Sequence, residues 1–252
     1  MGRVAGKVAI VTGAAQGLGE ADARMLAAEG ASVILTDINE EAGRQVASEI
    51  GAEFFAQDVS DEASWATLVD GAMERHGQLD VLVNNAGIAF IADVEQTTTE
   101  IWRRTLAVHL DGTFFGCHYA MQAMNKSGGG SIINMSSTAA LVGLAPYFAY
   151  SAAKGGIRSL TKSVAAYCRG QKKGVRCNSV HPGSIDTPMV EAALSGLMDL
   201  ELSEQTDREA TRRAVGLGEP NDVAFMVLFL ASDESKHING AEMVVDNGDT
   251  VV

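Results

Sequence analysis

Contiguous apolar runs rich in Val and Ile recur along the 252-residue chain at KVAIVTG, ASVILTD, LDVLVNNAG, SIINMSS, VRCNSVHPG and AEMVVDNG. Helix-like stretches lie between most of them. Strands that are apolar on both sides need cover on both faces, and helical connections between them make the strands parallel. The pattern predicts an α/β chain: a single-domain, Rossmann-type, doubly wound parallel sheet with helices on both faces, spanning residues 1–252. NKSGGG before Ser131 and GLGEP after Val215 read as surface turns, and neither is long enough to link two domains.

The first strand runs into a glycine-rich turn. Gly13, Gly17 and Gly19 are spaced G-x-x-x-G-x-G, between a strand and a helix, and with Gln16 and Leu18 they form a candidate cofactor-binding loop. Glycines there let the backbone approach a pyrophosphate, whose charge meets the N–H groups and positive dipole end of the next helix. Asp37 ends the second strand, where a carboxylate accepts hydrogen bonds from an adenosine ribose and repels a 2′-phosphate. No Lys or Arg stands in GAAQGLG or directly after Asp37, so the expected cofactor is NAD rather than NADP. The same carboxylate also suits an N-cap for INEEAGRQVASEI.

Composition narrows the partners. The formal charge of −13 opposes nucleic-acid binding, no apolar run reaches the length of a membrane span, and Cys117, Cys168 and Cys177 form no close pair that points to a disulfide or thiolate metal site. The start, MGRVAGKVAIVTG, lacks signal-peptide architecture, and the expectation is a cytoplasmic protein without a metal.

In YSAAKGGIRSL, Tyr150 and Lys154 share one helical face, being four positions apart. With TGAAQGLG, DV at Asp58, NNAG at Asn84, SS at Ser136, YSAAK at Tyr150 and HPG at His181 in this order, the chain resembles the short-chain dehydrogenase/reductase family over nearly its whole length. The resemblance implies that Ser137, rather than Ser136, is the catalytic serine. It implies that Tyr150 exchanges a proton with an alcohol or carbonyl, and that Lys154 favours the phenolate and also binds the cofactor. It further implies that Asp58 and Val59 hold the adenine, that Asn85, Ala86 and Gly87 line the cofactor floor, and that Pro182, Gly183 and Thr187 meet the nicotinamide. A homotetramer is implied as well, built through helices near Arg103 to Asn125 and Ser151 to Gly170 and the C-terminal region.

One position departs from the family. In LAVHLDGTFFG the family has asparagine where this chain has His109, and that asparagine holds a water relaying the lysine's proton. An imidazole both donates and accepts, so His109 fits the relay; the other reading is that it packs while a backbone carbonyl holds the water. Between Arg176 and Arg208 there are acidic residues and no Lys or Arg. In this family that stretch carries the substrate lid, expected over about 188–215, and its charge disfavours phosphate-bearing or carrier-linked substrates. Met189, Val190, Leu194, Leu197, Met198, Leu200 and Leu202, with LVGLAPYF opposite, offer apolar walls. Within the family the resemblance is nearest to bacterial 3β/17β-hydroxysteroid dehydrogenases, which implies a hydrophobic, cyclic, steroid-like secondary alcohol or ketone as substrate. The alternatives are another cyclic or terpenoid alcohol, a 3-oxoacyl reductase, or an NAD-binding scaffold without turnover; the presence of Ser137, Tyr150 and Lys154 together favours an enzyme.

Overall fold

The computed structural model describes residues 2–171, 174–198 and 216–251, with backbone alone for 194–198. Seven parallel strands form one sheet in the order β3-β2-β1-β4-β5-β6-β7. They are β1 (Val8–Thr12), β2 (Ser32–Asp37), β3 (Glu53–Ala56), β4 (Val81–Asn84), β5 (Gly130–Met135), β6 (Val175–Pro182) and β7 (Glu242–Val245). The chain reverses direction across the sheet between β1 and β4, so the carboxyl ends of these two strands open a crevice, the usual ligand position in such a fold.

Alternation within the strands explains their unbroken apolar runs. Ala9, Val11, Val33, Leu35 and Val83 face one core, where α1 (Gly17–Ala28), α2 (Glu40–Ile50) and α8 (Pro220–Ala231) pack. Val8, Ile10, Ile34, Leu82 and Ile132 face the other, closed by α3 (Glu62–His76), α5 (Gly112–Ser127) and α6 (Phe148–Gln171). Every second residue is thus buried on each side, and the sheet is covered on both faces. The three cysteines are free and buried.

Two details differ from the sequence reading. The edge strand β3 was absent from the apolar runs, because EFFA has only two large apolar residues and is half-exposed. The turn expected over NKSGGG starts later: α5 continues through Ser127 and stops at Gly128, whose φ of 94° is left-handed. Of the expected lid, α7 (Pro188–Met198) is described, whereas residues 199–215, with Leu200 and Leu202, lie outside the described residues, as do the side chains of Leu194, Leu197 and Met198. Among the described residues no helix is long and apolar enough to cross a membrane.

Candidate active site

All the site residues expected from the sequence except Gly19 line one cavity of about 580 Å³ at the carboxyl ends of the strands. Gly19 sits behind the loop: a Cβ there would come within 2.3 Å of the Gly13 carbonyl oxygen and 2.4 Å of the Asn85 amide nitrogen. Gly13 has φ +64°, and an added Cβ would lie 2.7 Å from the Ala86 Cα. The loop is therefore pressed onto the end of β4. Asn85 holds that contact, donating from Nδ2 to the carbonyls of Thr12 (2.9 Å) and Gly13 (3.2 Å), while Thr12 Oγ1 accepts from the backbone nitrogens of Asn85 and Ala86, each at 3.0 Å. Thr12 was missed in the sequence, where it reads only as the last strand residue.

This end of the cavity fits a dinucleotide. Gln16, the N-cap of α1, makes no side-chain cap bond, so the helix start presents backbone N–H groups and its positive dipole end to the cavity. At the lip, Asp37 accepts from the backbone nitrogens of Ala15 (3.0 Å) and Asn39 (2.9 Å), which fixes its carboxylate at the end of β2. Beside it Ile38 is 73% exposed, so no cation follows the acid. Asp58 turns back on Ser60, accepting from its backbone nitrogen and hydroxyl, and Val59 beside it is buried. Gln57 and Arg104 also line the cavity and were not foreseen.

At the other end, Ser137, Tyr150 and Lys154 converge. Ser137 is extended (φ −168°) and caps the short helical turn Thr138–Ala140, accepting at Oγ from the Ala139 nitrogen at 3.1 Å. Its hydroxyl faces the Tyr150 phenol and favours the ionised form. Ser136 instead donates to the Lys154 carbonyl at 3.0 Å. Lys154 donates from Nζ to the Met135 carbonyl at 2.7 Å and lies 5.4 Å from the centre of the Tyr150 ring. Burial pushes the Tyr150 phenol up to about 12 against the pull of Ser137, and burial pushes Lys154 down to about 7. Proximity to Lys154 therefore does not by itself bring the phenol to working pH in the polypeptide alone.

His109 lies in a π-helical turn, Ala107–Asp111, between α4 (Thr99–Leu106) and α5, and this widened turn carries its ring into the interior. The ring meets Tyr150 edge-on with centroids 5.2 Å apart. Gly87 makes room for it, since a Cβ there would lie 2.5 Å from the imidazole Cε1. Nε2 is 2.7 Å from the Ile88 carbonyl oxygen and 3.1 Å from the Ile88 nitrogen. The shorter contact assigns the proton to Nε2, which donates to the carbonyl, and leaves Nδ1 as a buried acceptor with no partner among the described residues. Burial, then the charge of Lys154, pushes His109 down to about 3, so the ring is neutral at working pH.

A doubly wound sheet with a glycine loop at its crevice and Ser, Tyr and Lys meeting in the same cavity defines a dinucleotide-binding protein of the oxidoreductase type. A family model described as "Enoyl-(Acyl carrier protein) reductase" matches residues 13–250. The chain is 46% identical to the NADP-dependent (R)-specific alcohol dehydrogenase of Lentilactobacillus kefiri, over 98% of each chain. It is 42% identical to the 3-beta-hydroxysteroid dehydrogenase of Comamonas testosteroni, over 97% of this chain and 96% of that one. The crystal structure of levodione reductase superposes with a TM-score of 0.88 at 31% identity, covering 99% of this chain and 100% of that one. The chain belongs to the short-chain dehydrogenase/reductase family, whose members use a nicotinamide dinucleotide.

Proposed function

We propose that the protein is an NAD-dependent dehydrogenase that interconverts a hydrophobic, cyclic, steroid-like secondary alcohol and its ketone. The observation that carries this reading is the convergence of Ser137, Tyr150 and Lys154 in the cavity that the glycine loop opens. A nicotinamide dinucleotide bound there supplies or accepts the hydride and, when oxidised, adds a positive charge. Tyr150 takes the proton from the alcohol hydroxyl or returns it to the carbonyl oxygen, and Ser137 holds that oxygen in place. Lys154 binds the cofactor ribose and stabilises the phenolate. Ile88, Met189 and Val190 supply an apolar rim suited to a ring system. The relatives named for an alcohol and a 3-beta-hydroxysteroid support the same substrate class. Exposed Phe114 and Tyr167 on α5 and α6 support the proposed homotetramer.

The test is a panel of steroids, cyclic alcohols and sugars with NAD and NADP in parallel, read by nicotinamide absorbance. Turnover of a steroid or cyclic alcohol with NAD is the expected result; turnover confined to sugars or to a carrier-linked substrate overturns the substrate reading. NAD preference rests on Asp37, although one relative is named as NADP-dependent. Asp37→Ala removes both the ribose acceptor and the repulsion of a 2′-phosphate, so the ratio of kcat/KM for NAD over NADP should fall by about tenfold or more, ~1.4 kcal/mol. A wild-type enzyme that favours NADP sinks this argument.

We also propose that His109 replaces the family's asparagine in the proton relay from Lys154. A neutral ring with a free Nδ1 offers the acceptor that a relaying water needs. His109→Ala should then slow turnover by ~10-fold and alter the pH profile, and His109→Asn should recover most of the rate. Equal kinetics for the two variants would leave the backbone to hold the water.

A further inference from the structure

His181 is the penultimate residue of β6, is fully buried, and is used by none of the steps above. Its Nδ1 lies 3.1 Å from the carbonyl oxygen of Ser137, and its Nε2 lies 2.8 Å from Oγ of Ser179. A carbonyl only accepts, so Nδ1 must carry the proton. Nε2 then holds a lone pair and accepts from the Ser179 hydroxyl, whose other contact, to the Ala241 carbonyl, is longer at 3.4 Å. One tautomer satisfies both ends. Burial holds the ring below the usual histidine range, which keeps it neutral.

The Ser137 carbonyl also accepts from the Ala140 nitrogen at 3.0 Å, within the same short turn in which Ser137 Oγ accepts from Ala139. Those two bonds tie Ser137 only to its own neighbours in sequence. His181 ties it across the sheet to β6, and among the described residues no other side chain donates to that carbonyl. We propose that His181 is a positioning residue, which through its Nδ1–H bond to the Ser137 carbonyl sets the place of the Ser137 hydroxyl against Tyr150. The inference rests on the reading of Ser137 and Tyr150 as the proton-handling pair. Ser179 acts one step further back, holding the imidazole in the tautomer that can donate.

The test pairs spectroscopy with kinetics on the full chain. Nitrogen-15 NMR of histidine-labelled protein, with the His181 signals assigned by their loss in His181→Asn, should show the proton on Nδ1 at neutral pH; a proton on Nε2 overturns the proposal. In His181→Asn the amide nitrogen takes the place of Nδ1, whereas His181→Gln carries its amide toward the place of Nε2 and His181→Leu has no donor. With the best substrate from the alcohol panel, kcat should fall ~10-fold or more in the Gln and Leu variants and stay within about threefold in the Asn variant, with the Kd for NAD changed less than about twofold in all three. A role in packing alone lowers the melting temperature without this ordering of kcat, and a His181→Leu enzyme with kcat within about twofold of wild type also overturns the proposal. If the Gln and Leu variants fail to fold, the wild-type tautomer and the Asn variant decide. Full turnover in Tyr150→Phe removes the underlying reading, whereas an inactive Tyr150→Phe beside a fully active His181→Leu removes this inference alone.

Discussion

Tyr150→Phe should lose about 10³-fold in kcat while binding NAD almost as tightly as the wild type, measured by steady-state kinetics beside a direct titration of the cofactor. The substitution removes one oxygen and leaves the ring, its edge-on contact with His109 and its place on α6 intact. What is lost is the phenol proposed to exchange a proton with the reacting oxygen, whose ionised form the Ser137 hydroxyl favours. The phenol starts from about 12 because burial disfavours its charge, so ionisation there depends on the Ser137 hydroxyl and on nearby positive charge. A variant that keeps most of its turnover would show that the proton travels by another route.

The fold was legible because its strands are apolar on both faces, and such runs have one architecture that buries them. Where a strand lies at the edge, as β3 does, only Phe54 and Phe55 are packed, one against Gly43 and one against the α3 face, and the periodic signal fades. The candidate site was legible for a different reason: TGAAQGLG, NNAG and YSAAK fall at strand ends and on one helix, and the order of the sheet brings strand ends together. Side-chain direction was not legible. The sequence marks His109 as a departure, but the π-helical turn that buries its ring and the Ile88 carbonyl that fixes its tautomer are long-range facts. Asn85 likewise reads as cofactor floor, whereas its amide is spent on the carbonyls that hold the glycine loop. Helical spacing places Lys154 beside Tyr150, yet says nothing of the burial that moves both groups toward their neutral forms. His181 appeared only as the first residue of the HPG motif, with no role of its own, because its two partners come from β6 itself and from the end of β5.

Lys154→Met should lose at least ~10²-fold in kcat, weaken NAD binding, and yet make the cofactor-free protein more stable at neutral pH. The loss of rate follows from removing the ammonium that lies 5.4 Å from the centre of the Tyr150 ring, and the loss of affinity from removing the contact with the cofactor ribose proposed above. The gain in stability follows from burial, which pushes the lysine from its ordinary 10.5 down to about 7 against the single bond to the Met135 carbonyl. Its folded pKa lies below its unfolded one, so between about 7 and 10.5 the unfolded chain binds a proton that the folded chain does not. Wild-type stability from this group therefore falls as pH drops from 10.5 to 7, and the full penalty stands below 7. At ~1.4 kcal/mol per pKa unit the penalty is several kcal/mol, and methionine, of similar length and without charge, avoids it. Denaturant melts of both proteins without cofactor should show the variant ahead by the widest margin at pH 6 to 7, with the gap closing toward pH 10. A variant less stable than wild type at every pH would mean that the Met135 bond outweighs the cost of burying the charge.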